Sequence, residues 1–192
     1  MKRLLAVGAA VCALGPIADA LGGQEAAGVH LEGGYQHLFV DGASVSSDEF
    51  ALRVPDHSYG VLMVRGGYDV LPFVTLEAEA MVGVADSDPT IETSLGDIPV
   101  EARIEYGLAA FGKFRFSPSG GVSIHARIGV SSITGETSAP GNSESGTSDG
   151  LAYGVGGEIE ITDSIGLRLD LTQYRDGDDE FNAVAVTVVN HF

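Results

Sequence analysis

Charged residues in this chain recur at every second position of otherwise apolar stretches. Around residue 78, Thr75, Glu77, Glu79 and Met81 alternate with Val74, Leu76, Ala78 and Ala80. Further on, Arg103, Glu105, Lys113 and Arg115 oppose Ile104, Tyr106, Leu108, Phe114 and Phe116. Arg127, Glu158, Glu160, Arg168 and Asp170 keep the same rhythm, and Glu32, Arg65 and Asp69 extend it toward the N-terminus. Successive side chains of a β-strand point to opposite faces. These acids and bases would therefore share one face of several strands. Two kinds of chemistry follow from mixed charges confined to one face. They can lock into ion pairs and hydrogen bonds, or they can exchange partners and pass ions. Metal chemistry has little support, because His30, His37, His57, His125 and His191 are scattered, with no His-x-x-x-H spacing and no Cys partner.

Eight alternating segments carry this pattern, at about 28–40, 58–70, 73–85, 101–116, 121–133, 150–161, 164–175 and 181–192. Short connections separate some of them: Leu71-Pro72, Ser117-Pro118-Ser119-Gly120 and Thr162-Asp163-Ser164. Long ones separate the others, at about 41–57, 86–100 and 134–149, with a smaller acidic one at 176–180. Gly, Pro, Ser, Asp and Thr dominate both kinds, as expected of turns and loops. The fold expected is all-β, an eight-stranded antiparallel up-and-down barrel with tight turns at one end and loops at the other. The last segment ends on Phe192, as a strand would that closes the sheet against the first.

Alternation alone leaves the barrel's polarity open, because a small soluble barrel can also hold an apolar interior. Three features favour a charged interior and a lipid-facing apolar exterior, a transmembrane barrel. The charged face is rich in Gly and Ala, which suits a crowded lumen. The apolar face carries aromatics near strand ends: Tyr68, Phe114, Phe116 and Phe192 toward the turns, and Tyr35, Phe39 and Tyr153 toward the loops. Two such girdles mark membrane interfaces. Six of the bases after residue 20 (Arg65, Arg103, Lys113, Arg115, Arg127 and Arg168) fall on the polar face, while the loops are acidic. The segments also have the roughly 9–11 residues that a tilted transmembrane strand needs.

The start of the chain agrees with this. Met1-Lys2-Arg3, an apolar run over residues 4–15 and the small-x-small site Ala18-Asp19-Ala20 read as a signal peptide, residues 1–20. The barrel domain would then span 21–192, without the single cysteine, Cys12. Removing Lys2, Arg3 and Asp19 leaves 8 bases and 26 acids, a net charge of −18. Nucleic acid is a poor partner for such a chain.

These residues resemble the small eight-stranded outer-membrane barrels of the OmpA/OmpX type, within the outer-membrane β-barrel superfamily of Gram-negative bacteria. The resemblance covers nearly all of 21–192. It rests on Gly66-Gly67-Tyr68 before a tight turn, the Gly154–Ile161 strand, its turn into Gly166–Tyr174, and terminal Phe192. Asn190 departs from it, standing where the family usually has an apolar or aromatic residue. The resemblance implies the outer membrane as location, outer-membrane lipids and lipopolysaccharide as surroundings, and barrel assembly machinery that reads the last strand. It fixes no function, because adhesins, resistance proteins, small channels and lipid-modifying enzymes share the fold. An enzyme of that last kind would need a lipid-facing His/Ser pair with an acid. Ser123 and His125 both turn to the lumen, so no catalysis and no cofactor are expected. The expected role is structural or surface-interacting, through loops that meet an extracellular ligand; a small passive pore and a soluble ligand-binding barrel are the alternatives. Asp176, Asp178, Asp179 and Glu180 form a compact acidic group that could attract a divalent cation, although the spacing is not that of an EF-hand.

Overall fold

The last strand does close on the first. Phe192 donates its backbone N–H to the carbonyl of Val29 at 3.0 Å. In register, His191 faces His30 and Phe181 faces Val40. The computed structural model describes residues 28–46, 51–87, 89–93, 96–139, 142–177 and 179–192. The leader expected at 1–20 lies outside the described residues, as do Asp48, Glu49, Asp88 and Asp178.

Twelve strands occur among the described residues. Eight form a closed antiparallel barrel: β1 (Val29–Val40), β4 (His57–Leu71), β5 (Val74–Ala85), β8 (Glu101–Ser119), β9 (Val122–Ala139), β10 (Asn142–Glu160), β11 (Ile165–Asp176) and β12 (Asp179–His191). Around the barrel they run β1-β12-β11-β10-β9-β8-β5-β4. Closure leaves no strand edge within the wall, which is what a sheet in lipid requires. The tight turns sit where the sequence places them, each shifted by a residue or two. One reverses at Gly120-Gly121, where Gly121 adopts φ 80°, a left-handed conformation that a side chain disfavours.

Three stretches expected to be loops contain strand. Residues 134–139 continue β9 and residues 142–149 continue β10 into a tall hairpin, with Thr134 opposite Thr147 and Ala139 opposite Asn142. Ser and Thr cover both of its faces, so it lacks the apolar-polar alternation that marks the wall. Hydroxyls bridge it instead, Thr134 to Thr147 at 3.0 Å and Ser138 to Ser143 at 3.0 Å. The two long connections at 41–57 and 86–100 contain β2 (Ala43–Ser46), β3 (Ala51–Val54), β6 (Thr90–Thr93) and β7 (Gly96–Pro99). These pair as a separate four-stranded sheet, joined at Leu52–Thr93 and Arg53–Glu92.

The wall is apolar outside. Leu108, Ile128, Val130, Leu151, Val155, Ile159 and Leu169 are all at least half exposed, in an unbroken band. A soluble protein rarely leaves so large a patch bare. Tyr35, Phe39, Tyr68, Phe114, Phe116, Tyr153 and Phe192 are all exposed on this outer surface, joined by Phe73 and Tyr106. From Tyr153 on β10 to Ile161 just past its end, the chain spans roughly 26 Å at ~3.3 Å per residue. A tilt of ~40° reduces this to about 20 Å of height, near the apolar band of an outer-membrane barrel.

Leu169 lies in the middle of this band, opposite Val186 and Gly157. Leu169→Arg is expected to destabilise the barrel by about 2–4 kcal/mol, measured by urea titration of protein refolded into phosphatidylcholine vesicles. The same substitution at exposed Glu144, on the hairpin, is expected to change stability by less than ~0.5 kcal/mol.

Candidate functional site: the charged lumen and the outer mouth

Inside the wall, four carboxylates and four bases meet in one buried layer. Arg65 reaches Glu32 at 2.6 Å, Glu79 at 2.8 Å and Asp170 at 3.1 Å. Arg168 reaches Glu32 at 2.6 Å, Glu77 at 2.7 Å and Asp170 at 2.9 Å. Lys113 lies 2.7 Å from Glu77, and Arg127 lies 3.0 Å from Glu79. Each of these carboxylates therefore touches two cations, and the layer is formally neutral. β1, β4, β5, β8, β9 and β11 all contribute to it.

Neutral donors fill the remaining sites. Thr187 of β12 donates to Glu32, and the Tyr174 hydroxyl donates to Glu79 at 3.0 Å while accepting from Gln36 at 3.0 Å. His125 Nε2 sits 2.7 Å from Asp170, and Arg127 also stacks on the Phe111 ring, 4.2 Å from its centroid. Small residues make the space. A Cβ on Gly156 would come within 2.5 Å of both Asp170 and His125, and one on Gly67 would come within 2.2 Å of two atoms of the His30 ring. Gln36, Tyr174 and Thr187 are uncharged, and His30 reads in the sequence as one of five scattered histidines. Strand parity is the signal that relates them to the lumen: His30 and Gln36 share a face with Glu32, Tyr174 with Asp170, and Thr187 with His191.

The other lumen candidates fall outside this layer. Asp69 and Arg115 form a looser pair at 3.5 Å near the turn end, where Thr75 also donates to Asp69. Glu158 meets His191 at 2.6 Å. Glu160 is exposed beside the turns. Arg103 and Glu105 are corrected by a bulge between Ile104 and Tyr106. The extra residue reverses the parity of β8, so Ala102 and Ile104 turn inward and are buried. Arg103 instead pairs from β8 to β9 with Glu136 at 2.7 Å, partly exposed.

His30, Glu32 and Glu77 bring potential metal-donor atoms within 4.8 Å of one another. Arg168 and Lys113 already hold those two carboxylates, so a metal ion there would have to displace them. Of the acidic group at 176–180, Asp178 lies outside the described residues, and the described members Asp176 and Glu180 have separate partners. Asp176 accepts from Ser148 at 2.9 Å, whereas Glu180 accepts from Gln173 at 3.0 Å and lies 3.6 Å from Arg175.

Above the charged layer, toward the loops, the lumen turns apolar. Leu38, Val61, Met63, Met81, Phe111 and Ile133 are packed in one buried cluster. Over it lies a cavity of about 500 Å³ at the outer mouth, walled by the hairpin. There, hydrogen bonding from Ser143 and the neighbouring Arg103 guanidinium hold the Glu136 carboxyl below its ordinary value.

The sequence matches the family model described as outer membrane protein beta-barrel domain over residues 4–192. No curated protein sequence matches the chain. Among solved structures, it resembles Ail, the attachment invasion locus protein of Yersinia pestis, determined in complex with the heparin analogue sucrose octasulfate. That likeness has 16% identity, covers 86% of this chain and 98% of Ail, and has a TM-score of 0.57. Neisserial surface protein A is similar at 13% identity, over 85% and 97% of the two chains, with a TM-score of 0.59. OprG from Pseudomonas aeruginosa is similar at 12% identity, over 88% and 98%, with a TM-score of 0.59. At these identities the likeness is one of fold.

Removing one member of the layer strands its partners without water. Arg65→Ala is expected to lower stability by about 3–5 kcal/mol, read by urea titration in vesicles, with little change between low and high salt because the pair is shielded from solvent. A different response is expected of the hairpin tie. A carboxyl depressed in the folded state stabilises above its unfolded pKa, and that contribution is lost as pH falls through the folded value. Amide exchange at Gly135–Thr137 is therefore expected to accelerate as pH drops below the ordinary carboxylate range, relative to a Glu136→Gln control.

Proposed function

We propose, since this chain belongs to the outer-membrane β-barrel protein family, that it is a non-catalytic surface-interaction protein whose barrel serves as a rigid, closed stem. Its working part is the β9–β10 hairpin. The observation that carries this is the hairpin's free edge. β11 begins to pair with β10 at Leu151, so the backbones of residues 142–150 are laddered only to β9 among the described residues, with a single side-chain link to β11 from Ser148 to Asp176. An exposed strand edge is a ready template for an extended segment of another protein.

Charge narrows the partner. Ail was solved with a polyanion, but Asp41, Asp56, Asp86, Glu101, Glu144 and Asp149 surround this mouth, with Arg53, Arg103 and Arg175 as the bases of the outer end. A neutral or basic protein suits that field better than a sulfated sugar. The turn ends face the periplasm and the hairpin faces outward, in the outer membrane of a Gram-negative bacterium. Residues 1–20 would be removed as a signal peptide on the way there. Lipopolysaccharide would surround the girdles, and the assembly machinery would act on the strand ending at Phe192.

The pore reading has less support, because the neutral layer and the apolar cluster both lie across the lumen. Planar-bilayer recording is expected to show no sustained open level; a stable conductance would favour the pore instead.

Replacing residues 134–149 with a short turn is expected to leave the heat-modifiable gel shift of a folded barrel intact. Adhesion of expressing cells to immobilised matrix proteins is expected to fall to the level of non-expressing cells. Undiminished adhesion with the shortened hairpin would overturn the assignment.

A further inference from the structure

We propose that the outer mouth of the barrel binds a small organic cation with an apolar body. The cavity there, about 500 Å³, falls within the size range of small-molecule sites. Its floor is Leu38, Ile104 and Ile133, all buried, and Tyr59 and Phe181 pack against the same cluster. Its rim is polar, formed by the Arg103–Glu136 pair, Ser148 and Asp176. An apolar floor with a few polar groups at one side is the usual build of a ligand pocket.

The rim selects the charge of the ligand. Arg103 neutralises Glu136 at 2.7 Å. Asp176 accepts only the Ser148 hydroxyl, at 2.9 Å, and pairs with no Lys or Arg among the described residues. A carboxylate has acceptor capacity for further partners. An ammonium group at Asp176 would complete it while the ligand's hydrocarbon covers Ile104 and Ile133. A neutral ligand would shield that carboxylate from water without partnering it, which is unfavourable. An anion would meet it directly. The acidic residues around the mouth also raise the local concentration of cations.

Nothing passes further down. Val61, Met63 and Phe111 are buried beneath the floor, and the Arg65–Glu79 layer lies under them. The cavity is therefore a receptacle rather than the entrance to a path. This inference is independent of the hairpin's free edge, since it uses the hairpin's inner side only.

The test uses the full barrel in zwitterionic phospholipid nanodiscs, with methyl-labelled Leu and Ile observed by NMR. Benzylammonium is titrated as the cation, benzyl alcohol as its neutral counterpart and benzoate as the anion. Saturable shifts are expected at Leu38, Ile104 and Ile133 with the ammonium, weaker ones with the alcohol and none with benzoate. Asp176→Asn is expected to weaken ammonium binding about tenfold, the loss of one charge-assisted contact. Ile133→Phe, which fills the floor, is expected to abolish binding while the gel shift persists. Equal binding of the cation and the alcohol would overturn the proposal, as would an unchanged affinity in Asp176→Asn. So would non-saturating shifts that spread to lipid-facing Leu169 and Leu171, or no shifts in the cavity at all. Should Asp176→Asn fail to refold, the ligand series and Ile133→Phe decide the matter.

Discussion

A carboxylate sealed behind a wall that faces lipid cannot turn back to water. Every charge in this lumen must therefore find its counter-charge inside the wall. Glu32, Glu77, Glu79 and Asp170 each find two cations, and Arg65 and Arg168 each touch three of the four acids within 3.1 Å. Because the partners come from different strands, the layer works as a set of cross-braces. It constrains the register of the barrel: slipping one strand by a single residue would turn its charges out into lipid. The apolar exterior is compatible with any register that keeps parity. The charges demand one.

The crowding of that layer explains choices that look incidental along the chain. Gly67 makes way for the His30 ring, and Gly156 makes way for the His125–Asp170 contact. Tyr174, Gln36 and Thr187 supply neutral donors where another base would unbalance the charge. Above them, Met63, Met81 and Phe111 fill the lumen with flexible or flat side chains that need no partner. The stem is thus stiff in the middle and dry above it. The chain's polar variety is left to the hairpin and the mouth, where water is available and no such constraint applies.

Most of the wall was legible in the sequence because alternation is a local signal. Glu77 and Glu79 announce their face through Leu76 and Ala78, their nearest neighbours, without reference to the rest of the fold. The signal failed in two physical circumstances. At Glu105 a single bulged residue shifts parity, and nothing in Arg103-Ile104-Glu105-Tyr106 marks where a bulge will fall; simple alternation therefore puts Arg103 on the wrong side. Over residues 134–149 both strand faces meet water, so the selection for alternation vanishes and an ordered hairpin reads as a loop. The mouth cavity was invisible for a third reason. Leu38, Ile133 and Asp176 come from β1, β9 and β11, and no spacing along the chain relates them.

By itself the sequence determined the eight wall strands, their faces, the girdles and the closing strand, because each depends on the contrast between one residue and its neighbour. It also determined which charges would be confined together. Only the tertiary structure decided which acid meets which base, where the lumen turns apolar and which side chains wall the cavity at the mouth. Those outcomes depend on register and distance between strands far apart in the chain. They are set when the barrel closes and every buried charge must be matched at once.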